Sequence, residues 1–360
     1  MAMSEHPFRD HAVLASEAQT LADTTQSAAQ HIDPLVFVAP LAAICYPFLL
    51  MLFHAVVGAP GATLAAIDTM GAAFVLLLSF AAPVLGIAVA CRKSLPTALR
   101  RLAYFSVVAP TLYVFLGVVQ ALLGSPIPDP WVWCVIWVAA VLIALRTARI
   151  ETRTQPLAQA APGLGKWRVA HGVSAAILCL YVFFHLGNHL AGLVGPGAHA
   201  AVMDVGRTVY RARFVEPVLV AAFLFQIASG LYLTWRWSAA RQDFFRTFQI
   251  ASGAYLSLFI LGHMNSVFIY ARWYLDIPTD WNFATGAPTG LIHDAWNIRL
   301  VPHYALGVFF VLGHLVAGLR VVLNAHGADR RVVTRLWICG VIVSGLIATA
   351  ILAGMSGVRL

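Results

Sequence analysis

Charge is scarce in this chain. Asp, Glu, Lys and Arg make up 11% of its 360 residues against 60% apolar residues, and mean hydropathy is +0.81. Soluble domains carry about 25% charged residues, so the composition points to a polytopic helical membrane protein. The five cysteines, Cys45, Cys91, Cys134, Cys179 and Cys339, form no CxxC pair; four lie inside apolar runs and Cys91 ends one. That spacing argues against a disulfide framework, an iron–sulfur cluster or a zinc site within the chain. There is no flavin or nucleotide fingerprint, so no catalytic dehydrogenase residue is assigned. Residues 1–34 are polar and mildly acidic, with no basic start leading into an apolar core, and read as a soluble tail and not as a signal peptide. The net charge of +8 would suggest nucleic acid in a soluble chain; here the basic residues sit in short loops between apolar runs, where they orient the protein in a lipid bilayer.

What the chain has in quantity is long apolar runs, nine of them, at about 35–57, 69–91, 102–123, 131–147, 169–194, 214–235, 248–271, 300–322 and 332–353. Each is long enough to cross a hydrocarbon core of about 30 Å. With nine crossings, seventeen of the twenty-three Lys and Arg fall on one side and six on the other. The positive-inside rule then puts the N-terminus in the cytoplasm and the C-terminus outside an inner membrane. The longest polar break on the cytoplasmic side, ETRTQPLAQAAPGLGK, carries Pro and Gly without periodicity. It divides the chain into the tail 1–34, a four-helix transmembrane region 35–150 of unassigned role, a linker 151–167, and a five-helix transmembrane domain 168–360.

The histidines concentrate in the second part. The run WRVAHGVSAAILCLYVFFHLGNHLAGLV, residues 167–194, has no charge after Arg168 but holds His171, His185 and His189 near one helical face. Ionisable side chains at membrane depth face the bundle interior and have partners. From its position in the run, His185 lies ~6 Å beyond the midpoint and His263, on the seventh helix, ~4 to 5 Å to the same side. The two are level. His314 on the eighth helix lies ~5 Å to the cytoplasmic side, with Gln226 of the sixth near the middle, so a second level pairs Gln226 with His314. A weak internal repeat, FQIASGLYL against GHLVAGLRV, relates the sixth and eighth helices. Two neutral imidazoles at one depth on different helices are what the iron of a haem b takes as axial ligands, and such a haem leaves no covalent attachment motif. Gly230, Gly253 and Gly318 would let a flat macrocycle approach the backbone, and helix packing selects the same small residues.

The pattern H(x12)FHLxNHL, then RxRFVEP with QxxxGLY, then FILGH, then HYxLGVxxxxGHLxxGL resembles the five-helix cytochrome b membrane anchors of succinate dehydrogenases and fumarate reductases, from about Lys166 onward. The resemblance implies that the first and third ligand-bearing helices hold one haem and the second and fourth another. It places His185 and His263 as iron ligands of the outer haem and His314 as one ligand of the inner. The remaining ligand position holds Gln226, and an amide is a poor ligand for haem iron, so one haem is expected and the second level lacks a ligand. It also implies partner iron–sulfur and flavoprotein subunits on the cytoplasmic side and a membrane quinone as electron partner. The four N-terminal helices have no counterpart in that family.

Weaker expectations attach to other residues. His171 and Arg168 at the cytoplasmic mouth would hold haem propionates or a quinone carbonyl, or act as interfacial anchors. His189, with Asn188, would orient His185 or bind a propionate, or make a plain interhelical hydrogen bond. His303 with Trp281, His293, Asp294 and Trp296 of the outer loop would form an outer quinone site, or an aromatic belt. Glu216 is expected to pair with Arg213, while His6, His11, His31, His199 and His326 receive no role. The alternative to a cytochrome is a haem-free transporter or sensor using these histidines for protons or a ligand.

Overall fold

The computed structural model describes residues 33–61, 64–154 and 164–360. His6, His11 and His31, and the centre of the expected linker, lie outside them. Among the described residues every regular element is helical. The N-terminal region comprises α1 (Val38–Val57, entered by a 3-10 turn at Pro34–Phe37), α2 (Ala66–Leu78), α3 (Ala81–Ala90), α4 (Thr97–Val107), α5 (Ala109–Leu122) and α6 (Asp129–Thr154). The C-terminal region comprises α7 (Leu164–Ala191), α8 (Pro196–Tyr210), α9 (Val215–Trp237), α10 (Phe244–Met264, continued as π-helix over Asn265–Tyr274), the short α11 (Trp281–Thr285) and α12 (Gly290–His293), α13 (Leu300–Ala325) and α14 (Arg330–Met355). Among the described residues eight helical spans are long and apolar enough to cross a membrane, which suggests a multi-pass membrane protein; α2 and α3 together make one of them. Leu180, Phe214, Ile67 and Trp273 are among many large apolar side chains left exposed, as expected of a surface whose solvent is lipid.

The run expected to cross once at 102–123 is instead two helices, α4 and α5, bent by 68° at Val108. Pro110 supplies the reason: it has no N–H for the carbonyl of Ser106, and its ring crowds that carbonyl. Counted as one broken span, the pair brings the total to nine. The stretch between the fifth and sixth apolar runs, expected to be a loop, forms α8, which buries His199, Met203 and Gly206.

Prolines leave similar defects elsewhere, and side chains seal them. Pro47 in α1 cannot donate to the carbonyl of Ala43. The indole Nε1 of Trp133, from α6, donates to that carbonyl at 2.8 Å. Trp133 is wholly buried in a cluster with Tyr46, Tyr113 and Trp137. The buried Arg100 donates to the carbonyls of Ala90 (2.7 Å), Arg92 (3.3 Å) and Leu95 (3.1 Å), placing a cation at the C-terminal end of α3, where the helix dipole favours one.

One apolar cluster runs from Leu102, Tyr104 and Val107 of α4 into Phe248, Ala251 and Tyr255 of α10 and Phe310 of α13. The N-terminal region thereby buttresses the back of α10 and α13. A buried ion pair strengthens the seam: Arg299 Nη1 donates to Asp129 Oδ2 at 2.6 Å, Gln120 donates to the other carboxylate oxygen at 2.5 Å, and Tyr113 and Trp296 flank the guanidinium.

Candidate functional site

Helices α7 and α10 bring His185 and His263 together, edge to face. Their ring centres are 6.0 Å apart and the ring planes are inclined by 69°. Each imidazole is held by an aromatic ring one turn earlier on its own helix: Tyr181 stacks on His185 (5.6 Å, 14°) and Phe259 on His263 (5.9 Å, 10°). Side chains four apart are neighbours on a helix, so both orientations are set locally. Phe259 in turn fits because α13 has Gly307 opposite it, where an added methyl would lie 2.3 Å from the ring.

The two histidines line a cavity of about 250 Å³ between α7, α8, α9, α10, α13 and α14. Its walls are mostly apolar, with Leu219, Phe223, Ile260, Val308 and Ile351 among them, and its polar side carries His189, Arg207, Arg211, Arg272 and Glu216. Neither His185 nor His263 makes a hydrogen bond among the described residues. Two imidazoles from different helices are the kind of donors a haem iron takes, so His185 and His263 are the residues that would hold one. No group of three or more His, Cys, Asp or Glu side chains is arranged around a metal among the described residues. A haem needs none, because the porphyrin supplies four of its six donors. The residues present therefore fit a haem: two opposed imidazoles, apolar walls for the macrocycle, and arginines for its carboxylates.

A row of histidines extends from this pair. His189 lies 4.8 Å from His185, His199 of α8 lies 5.3 Å from His189, and Trp281 lies 4.6 Å from His199. Asn188 and His199 Nε2 are 3.2 Å apart. Burial holds the His199 imidazole below its ordinary pKa, Arg207 pushes the same way, and Asp280 opposes them.

The second level differs from the expected Gln226–His314 pairing. His314 faces His171, with ring centres 6.4 Å apart. Gln226 lies on the far side of the exchange: its amide nitrogen is 3.3 Å from His171 Nε2 and donates to the His171 carbonyl at 3.2 Å. Arg168, next to His171 in sequence, turns toward Trp237 (6.0 Å), which Arg246 also approaches (4.6 Å).

Other expectations are redistributed. Glu216 pairs with Arg272 at 2.7 Å, not with Arg213, because the π-helical extension of α10 carries Arg272 across to the start of α9. The proposed outer quinone residues are not gathered. His293 Nδ1 is 3.2 Å from the Gly58 carbonyl, Asp294 accepts from the backbone of Trp296 and Asn297, Trp296 lies under Arg299, and Trp281 packs on His199. His303 is buried against Phe259. None of these five lines the cavity. Arg207, Arg211 and His199 were missed from the sequence, although Arg207 and Arg211 are four apart and so share a helical face.

A scan against protein-family models, a search of curated proteins and a search of solved structures find no match to this chain.

Proposed function

We propose that this chain is a membrane cytochrome b-like electron carrier of an inner membrane, holding a haem b between His185 and His263 and exchanging electrons between a partner and the quinone pool. The observation that carries this reading is the opposed pair itself: two imidazoles 6.0 Å apart, oriented by their own helices, without other hydrogen bonds, on one apolar cavity edged by three arginines. When bound, the haem supplies a one-electron couple that the protein's own side chains lack.

The chain's residues do the rest. His185 and His263 offer ring nitrogens, Tyr181 and Phe259 hold the rings, and the apolar walls exclude water. Arg207 and Arg211, which donate to Thr279 (3.0 and 2.8 Å), would be the cations for the propionates, Arg272 being paired with Glu216. His189 stands a turn beyond His185 to position it. The sidedness rests on the distribution of basic residues, with nine spans, a cytoplasmic N-terminus and the basic loops near Arg168, Arg241 and Arg330 facing the cytoplasm. Those loops are the surface for an iron–sulfur subunit and its flavoprotein.

Purified protein should show the reduced-minus-oxidised spectrum of a low-spin haem b, and His185→Ala or His263→Ala should abolish it. A protein free of haem would sink this reading and favour the transporter or sensor, with the row from His263 to His199 as a proton path. A reporter fused after Leu360 should be external and one inserted in residues 157–165 cytoplasmic. Affinity purification should recover an iron–sulfur protein together with a flavoprotein; recovery of neither would leave a stand-alone cytochrome.

A further inference from the structure

We propose that the end of the bundle at which α7 begins, opposite the His185–His263 cavity, holds the phosphate of an anionic phospholipid between Arg168, Arg246 and Arg320. The inference does not depend on haem.

The three cations come from three helices. Arg168 stands near the start of α7, Arg246 in the first turn of α10 and Arg320 near the end of α13. Arg168 and Arg246 share one ring, that of Trp237 at the end of α9, at 6.0 and 4.6 Å from its centre. Arg320 lies 3.7 Å from the ring centre of Phe245, the residue before Arg246. Trp337 of α14 meets the same Phe245 edge-on, with ring centres 5.1 Å apart, and so closes the group from a further helix. The turn that brings Trp237 to Arg246 is tied by Gln242, whose amide donates to the Trp237 carbonyl at 3.2 Å.

The charges of this group lack a counter-ion in the chain. Among the described residues the ion pairs are those of Arg92, Arg207, Arg272 and Arg299, and none includes Arg168, Arg246 or Arg320. Asp243, three residues before Arg246, has its Oδ1 occupied by the Arg246 backbone N–H at 2.7 Å, where it caps α10. Arg246 donates one guanidinium N–H to Gln249 Oε1 at 2.6 Å, and Arg320 has its Nε buried without a partner. Like charges gathered at one place repel until an anion joins them. A guanidinium lying over an aromatic ring uses its face and leaves its in-plane N–H groups free, in the fork that matches phosphate oxygens.

The neighbours point to a lipid as the source of that phosphate. The arginines stand on rings at helix ends, and exposed apolar side chains flank them: Phe244 beside Phe245, Leu319 beside Arg320, and Leu336 beside Trp337. A headgroup held by the arginines lays its acyl chains along this surface. Basic clusters between membrane helices recognise anionic headgroups in this way.

The test is the lipid retained by the purified full chain after incubation with vesicles of equal parts phosphatidylglycerol and phosphatidylcholine and repurification in detergent. Wild type should retain phosphatidylglycerol in preference, and Arg168→Gln, Arg246→Gln and Arg320→Gln should each lower that preference about fivefold. Arg320→Lys, which keeps the charge and loses the fork, should fall between wild type and Arg320→Gln. The double change Arg330→Gln with Arg331→Gln, in exposed residues at the start of α14, should have much less effect than Arg246→Gln. Phosphatidylglycerol should raise the wild-type melting temperature, and inorganic phosphate should not. Equal retention of the two lipids by wild type overturns the proposal, as does a loss in the α14 double variant as large as that in Arg246→Gln. A rise in melting temperature with inorganic phosphate equal to that with phosphatidylglycerol overturns the lipid as the source and leaves a site for free phosphate.

Discussion

The N-terminal region and the histidine bundle spend their polar groups in opposite ways. In α1 to α6, Trp133 covers the carbonyl that Pro47 leaves open and Arg100 closes the end of α3, while Asp129 takes Gln120 and, from the start of α13, Arg299. Around the cavity between α7 and α10 the polar groups instead meet one another across it, imidazole to imidazole, with arginines at the side. Unsatisfied polar groups are costly where water is absent. The first arrangement closes the backbone's open groups, and the second leaves side-chain nitrogens facing a cavity. The N-terminal wall holds α10, since Phe248, Ala251 and Tyr255 pack into it, and Tyr255, Phe259 and His263 stack in turn along the same helix.

If that division holds, changes in the first region lower stability and leave the haem spectrum alone. The largest such effect should come from Arg299→Ala, which leaves the mostly buried Asp129 carboxylate of α6 with Gln120 as its one side-chain partner. Breaking a buried pair in this way costs about 3–5 kcal/mol. Thermal unfolding in detergent should show the loss, and the double change to apolar residues of similar volume should recover most of it. A wild-type melting temperature in Arg299→Ala would mean that the seam is open to water.

Next comes Trp133→Phe, which keeps most of the packing and uncovers the Ala43 carbonyl, at about 1–3 kcal/mol. The outer ligand pair sharpens the contrast from the other side. Gly307→Ala must displace Phe259, and overpacking of this kind costs roughly 1–3 kcal/mol. Because Phe259 stacks on His263, the change should also weaken haem retention, whereas Trp133→Phe should not. Equal haem loss in both would show that the two regions are not separable. The smallest effect is expected of Asp33→Ala: its ion pair with Arg92 is exposed at 35% and 46%, and pairs of that kind contribute between zero and about 1 kcal/mol.

Helix positions and the two histidine levels could be read in the sequence because apolar runs and residue depth follow directly from chain position. The break at Val108 needed the local chemistry of Pro110, which a window of hydropathy averages away. Depth along a helix says nothing about the azimuth of a side chain, so a shared level does not give a contact: His171 stands opposite His314, and Gln226 reaches His171. Glu216 was given to Arg213 by proximity in sequence, while the true partner, Arg272, comes through the π-helical stretch after His263. His199 receives no role from the sequence because the 15 residues of α8 are too few to span and give no membrane signal.

The central claim is that His263 is an iron ligand. The most direct measurement is the absorption spectrum of His263→Gly protein before and after adding free imidazole. The account predicts that the low-spin haem b spectrum is absent in the variant and returns as imidazole fills the place of the missing ring. An unchanged low-spin spectrum in His263→Gly would contradict it.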